Sequence, residues 1–217
     1  MVLMKSILCT FCICMMAINC LSAQNIDLPK ADAALCEIHK KDQSIRSELI
    51  EVMKTNPQNM LRMKARMDSI DRANQNYVSN FLDNYGWPES LSQQANNAIF
   101  LVIDHADNNF SKKYFPMVSA KCESGLIPKA QVVTLEDRIL MRSTKKQKYG
   151  TQTISKLIDG KNVVYVWPIE NVENVDQLRS SVGLPSMQSY IQMVENMTGQ
   201  KVVFDKTISI EDLNVSF

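Results

Sequence analysis

Up to about residue 144 the apolar residues of this chain recur with a period near 3.6; just beyond it the period drops to two. A long helical run followed by one short alternating segment restricts the chain to a mainly α body carrying one β-hairpin. Only six glycines and seven prolines punctuate 217 residues, so breaks are few and the helices long. The pattern predicts a single helical domain, with the hairpin near residues 151–167 and a small C-terminal extension.

The helix over about Ala31–Met53 has the clearest wheel. Ala34, Leu35, Ile38, Ile45, Leu49, Val52 and Met53 fall in one arc, and Asp42 falls inside it. Arg46, four residues on, sits at its edge as the natural ion partner. Thr55-Asn56-Pro57 ends this helix and starts a second over about Gln58–Asn84, where a methionine-rich stripe surrounds Asn74. A third, about Ser90–Asp107, is apolar around most of its circumference and reads as central. His105 shares a side with Leu101 and Val102, while Asp104 and Asp107 point elsewhere and Asp104 is expected in solvent. A fourth runs from Ser111 to Glu123. The fifth opens at Pro128, and Glu136 lies at the centre of an arc made by Val132, Val133, Leu135, Ile139 and Leu140.

Thr151–Ile158 and Lys161–Trp167 are β-rich runs around Asp159-Gly160, a strong two-residue turn signal. That turn places Ile154 opposite Tyr165 and Gln152 opposite Trp167, on the aromatic face. Short helices follow at Asn174–Val182 and Ser186–Met197. The tail holds a strand-like run, Lys201–Phe204, and a second at Thr207–Ile210.

The first 23 residues read as a signal peptide. Lys5 is a short positive region, Ile7–Ile18 is apolar but too short to span a bilayer, and Ala23 offers a cleavage point. Lipidation at Cys20 is the less favoured rival, because Asn19 makes a poor lipobox. The expected destination is the periplasm or the exterior, with a domain over 24–198 and an extension over 199–217. Removing residues 1–23 takes away four cysteines, one lysine and no acid. Cys36 and Cys122 then remain, as one disulfide or two thiols. The balance becomes 23 basic against 23 acidic residues, with no basic stripe, which argues against a nucleic-acid partner. No later stretch is apolar enough to span a membrane.

Asp42-Gln43-x-x-Arg46, Gly86-Trp87-Pro88, His105-Ala106-Asp107, Leu135-Glu136-Asp137-Arg138, Gln147-x-Tyr149-Gly150-Thr151-Gln152 and Asp176-x-x-Arg179-x-x-Val182-Gly183-Leu184 occur in that order. In order and spacing the chain resembles a bacterial domain family of unknown function over roughly residues 35 to 190. The resemblance implies kinship and carries no activity, cofactor or partner with it. Asp104 stands where many relatives have Gln.

Ionisable groups inside apolar arcs must be paired, coordinated or neutralised. Asp42, Arg46, His105, Glu136 and Gln152 therefore form the candidate polar pocket, and three readings compete. They form a structural network fixing helix register. Alternatively, they line a pocket for a small polar ligand or a peptide, with the hairpin as one wall. A third possibility is hydrolysis through His105 with Asp42 and Glu136, metal-assisted or not. The chain has no Gly-x-Ser-x-Gly elbow, His-Glu-x-x-His motif or glycine-rich phosphate loop, and nothing in it calls for a cofactor. A two-histidine metal site would need His39 as well, so no metal site is assigned.

Overall fold

The computed structural model describes residues 26–158 and 160–214. The segment expected as a signal peptide, with Cys20, and Asp159 of the expected turn lie outside the described residues. Helix α1 (Leu28–Thr55) starts where the Asp27 side chain accepts from the Lys30 amide. A single 3-10 turn, Pro57–Asn59, leads into α2 (Met60–Tyr85), which stops at Gly86 with φ +69°. Helix α3 (Gln93–His105) is capped by Ser92, and α4 (Asn108–Glu123) by Asp107, whose Oδ1 accepts from the Asn109 and Phe110 amides. Helix α5 (Lys129–Arg142) completes the helical layer.

Polar contacts fix the helix directions. Arg46 meets Asp71 and Arg66 meets Glu48, so α1 and α2 run antiparallel. Asp32 meets Ser92 and Asp42 meets His105, so α1 and α3 run parallel. The main core lies among these helices, with Leu35, Val78, Ile99, Ile103, Val118 and Leu135 essentially inaccessible. Each such side chain contributes roughly 1.5–3 kcal/mol relative to exposure. Trp87, just past the α2 stop, donates from Nε1 to Oδ1 of the fully buried Asn96 at 2.6 Å. Cys36 and Cys122 are free thiols packed against the edge of this core.

The second layer is small. Strands β1 (Thr153–Ile158) and β2 (Lys161–Val166) pair antiparallel with Ile154 opposite Tyr165, and the Trp167 amide donates to the Gln152 carbonyl, which is the expected register. Helices α6 (Val175–Ser181) and α7 (Met187–Thr198) follow. Strand β3 (Val202–Val203) adds to β2 in parallel, so the hairpin becomes a three-stranded sheet. Val164, Val166, Met187, Val194 and Val202 form the core of this layer. The stretch Thr207–Ile210, expected as a strand, is instead a turn leading into the short helix α8 (Ile210–Leu213). Ser209 and Asp212 cap each other there, and that reciprocal box nucleates a helical turn more readily than isolated residues build a sheet edge. Leu213 is buried against Met141 and Trp167. No described helix is long and apolar enough to cross a membrane.

Two layers explain α5. Val132 and Leu135 face the helical core, whereas Met141 and Asp137 face the second layer. The helix is thus covered on two sides.

Candidate functional site

Asp42 is the centre of the first polar cluster. Its place within the apolar arc of α1 forces it inward, where it is 1% exposed. Its carboxylate accepts from Gln43 Nε2 at 2.8 Å, Arg46 Nη2 at 3.0 Å and Arg46 Nε at 3.2 Å, and meets His105 Nδ1 at 3.0 Å. Burial pushes the carboxyl up, but the hydrogen bonds and charges of His105 and Arg46 outweigh it and hold the pKa at about 2. A carboxylate that is ionised at neutral pH has no proton to give, so His105 Nδ1 carries the hydrogen of that bond. Arg46 Nη2 also donates to Asp71 Oδ1 at 3.0 Å, where burial raises the Asp71 pKa against the pull of Arg46.

Beyond His105 the ladder continues. His105 Nε2 lies 3.9 Å from Asp104 Oδ2, which lies 3.2 Å from Arg138 Nη1. Asp71, Arg46, Asp42, His105, Asp104 and Arg138 thus form one row of alternating polarity across four helices. The expectation that Asp104 faces solvent is corrected: it is buried, because α3 is central and Arg138 of α5 closes over its end. Arg142 donates to the Ala106 carbonyl, so two arginines of α5 serve the C-terminal end of α3, where cations complement the helix dipole. Asp104 Oδ1 and Arg138 Nε are buried without a hydrogen-bond partner.

The structure brings Asp42, Arg46 and His105 together and places Glu136 and Gln152 in other contacts. Glu136 is half-buried and pairs with Lys148 Nζ at 2.6 Å. The expectation that Glu136 is the buried acid of α5 is corrected by one position. Asp137 is the inaccessible one, because α5 has two covered sides and the wheel assumes one. Asp137 accepts from the amides of Lys148, Tyr149 and Thr151 and from Thr151 Oγ1, at 2.7–3.2 Å. Burial raises its pKa, and those donors oppose the rise. Gln152 donates from Nε2 to the Thr134 carbonyl at 3.3 Å and to Thr151 Oγ1 at 3.2 Å.

From the opposite side, Arg179 grips the same loop. It is 1% exposed, donates from Nη1 to the Tyr149 and Gly150 carbonyls at 2.7 and 3.0 Å, and lies over the Tyr190 ring. Tyr190 donates to the Thr151 carbonyl at 2.6 Å. Gln147, fully buried, bonds the Gln152 amide and the Gln152 and Trp167 carbonyls. Asp137, Gln147 and Arg179 therefore clamp residues 147–152. Wheel reasoning missed all three as site residues. The signal that could have found them is their place in the Leu-Glu-Asp-Arg, Gln-x-Tyr-Gly-Thr-Gln and Asp-x-x-Arg motifs.

A cavity of about 870 Å³ lies elsewhere in the same seam between the layers. It is walled by Ile50, Met53 and Lys54 from α1, by Thr153, Ser155 and Val164 from the sheet, and by the end of α7. The α1 stripe that carries Asp42 and Arg46 continues into it, since Ile50 is one turn beyond Arg46. The apolar arc of α1 is fully buried only as far as Ile45, with Leu49 and Val52 half-buried; Met53, expected within it, is 57% exposed. Among the described residues no group of three or more His, Cys, Asp or Glu side chains is placed to hold a metal ion.

A model of the family of unknown function DUF6624 matches residues 29–203, and the chain belongs to that family. Comparison with curated proteins and with solved structures finds no match.

Proposed function

We propose that this member of DUF6624 is an exported, non-catalytic binding domain whose ligand occupies the seam between the helical layer and the hairpin. The observation that carries this reading is the 870 Å³ cavity with the hairpin as one wall, a size suited to a small ligand or short peptide. The loop that leads into its hairpin wall at Thr153 is clamped by Asp137, Gln147 and Arg179. Asp42, Arg46 and His105 brace the helices at one end of the seam, and export rests on the apolar run Ile7–Ile18 followed by Ala23. Hydrolysis through His105, Asp42 and Glu136 is the weaker reading, since the Glu136 carboxylate is engaged by Lys148.

The test uses the neutral fluorophore N-phenyl-1-naphthylamine. The native protein should bind it saturably at one site. Ser155→Trp places a large ring in the cavity from an exposed strand position and should abolish binding without lowering the melting temperature. Absence of saturable binding, or binding that survives the substitution, refutes the reading.

A further inference from the structure

We propose that the seam takes an extended peptide, which joins the sheet as an antiparallel strand along the free edge of β1. The inference rests on the binding reading above and names its ligand class. In the strand order β1-β2-β3, β1 has a neighbour on one side only. The Trp167 amide donates to the Gln152 carbonyl, and antiparallel ladders alternate, so Ile154, Lys156 and Ile158 also turn their backbone groups to β2. Thr153, Ser155 and Leu157 turn theirs outward, and among the described residues those amides and carbonyls meet no hydrogen-bond partner. An extended backbone presents the complementary row of N–H and C=O groups, whereas a hydrocarbon or a lone anion presents none.

The side chains choose the sequence. Ser155 is the register partner of Val164, so both lie on one face of the sheet with Thr153. These three line the cavity together with Ile50 and Met53 of α1, which therefore reaches the free edge. Leu157 lies on the same face and is 70% exposed. Peptide residues that bond to Thr153, Ser155 and Leu157 stand directly opposite them, with side chains on that apolar face. The alternate residues fall on the other face beside Lys156, whose Nζ donates to the neutral Asp212 carbonyl. An acid there complements the ammonium. The peptide is thus apolar and acidic by turns.

Displacement of N-phenyl-1-naphthylamine by acetyl-Glu-Val-Glu-Val-Glu-Val-Glu-amide tests this on the unaltered protein. N-methylating the valines removes the amides that face β1 and should weaken displacement about tenfold or more. N-methylating the glutamates, whose amides face away, should change it by about twofold at most. Equal effects of the two methylations, or a larger effect at the glutamates, refute antiparallel strand addition. Replacing glutamate by lysine should weaken the peptide about fivefold, and equal binding would refute the acidic positions. Ser155→Pro deletes one outward amide, spares the β2 ladder, and should weaken the peptide about fivefold while the fluorophore still binds. Undiminished peptide binding by that variant would refute the β1 edge. If the fluorophore binds the native protein but the peptide does not displace it, the ligand class fails while the binding reading stands. Absence of fluorophore binding brings down both.

Discussion

Asp42 and Asp137 are both inaccessible acids, yet they are stabilised in different ways. Asp42 meets the Arg46 guanidinium and the His105 ring, and its folded pKa of about 2 lies below the ordinary carboxylate value. A depressed folded pKa gives stability that is present above the unfolded pKa and lost as pH falls through the folded one. Asp42 should therefore contribute about 2 kcal/mol near neutrality, lost between about pH 4 and pH 2. Denaturant melts of Asp42→Asn across that window should show a correspondingly shallower acid loss than the native protein; parallel curves would refute it. Asp137 has neutral donors only, and its pKa moves up with burial. Asp137→Ala would orphan three amides and a hydroxyl, at a cost of roughly 1–3 kcal/mol for each group that water cannot reach. Glu136→Ala removes only a partly exposed pair with Lys148 and should cost about 1 kcal/mol or less. Equal melting temperatures for the two variants would contradict the one-position correction on α5.

At the scale of elements, the loop 147–152 is the joint between α5 and the sheet. Gly150 makes that joint close. Its φ is +67°, and a Cβ there would lie 2.8 Å from both Ile169 Cδ1 and Met187 Sδ. Gly125, after α4, has a similar φ of +78° with nothing within 4 Å of the same position. Gly125→Ala should cost only the left-handed backbone penalty, about 1–2 kcal/mol. Gly150→Ala adds overpacking of about 1–3 kcal/mol. Urea denaturation of the pair should rank Gly150→Ala clearly lower, and a reversed order would mean that α7 gives way freely. The same joint explains why a stripe of helices can carry a sheet so small: Arg179 and Tyr190, from α6 and α7, lock onto loop carbonyls rather than onto the strands.

For the molecule as a whole, the last described residues are part of the fold by packing. Val202 extends the sheet and is buried with Val164 and Val194, and Leu213 fills a site between Met141 and Trp167. Leu213→Ala should destabilise the protein by about 2–5 kcal/mol, as for other fully buried leucines. Chemical denaturation measures this directly, and a loss below about half a kcal/mol would mean that the C-terminal segment is an appendage. The seam between the layers also carries exposed apolar side chains, Ile50, Met53 and Met197, although Leu61 and Leu157 are exposed outside it. Large exposed apolar patches mark interaction sites more often than accidents of folding.

What the sequence determined by itself was local. The 3.6 period, the end of the second helix near residue 84 and the register set around residues 159–160 are properties of short stretches, and they appear where the periodicity places them, whereas the third and fourth helices begin at Gln93 and Asn108 rather than at Ser90 and Ser111. Asp42 was legible as a buried acid because α1 has one covered arc over that turn, and its i+4 partner Arg46 followed from helix geometry. Tertiary structure decided the rest. Which acid of α5 is buried depends on a second layer that covers another side of the helix, and no single wheel contains that layer. Asp104 is buried by an arginine 34 positions away. The clamp on residues 147–152 joins Asp137 to Arg179 through backbone groups that carry no side-chain signature. The cavity forms where the last turns of α1 meet the sheet and the end of α7 across the seam. Such contacts are set by the docking of elements distant in sequence, whereas periodicity reports only which face of one element turns inward.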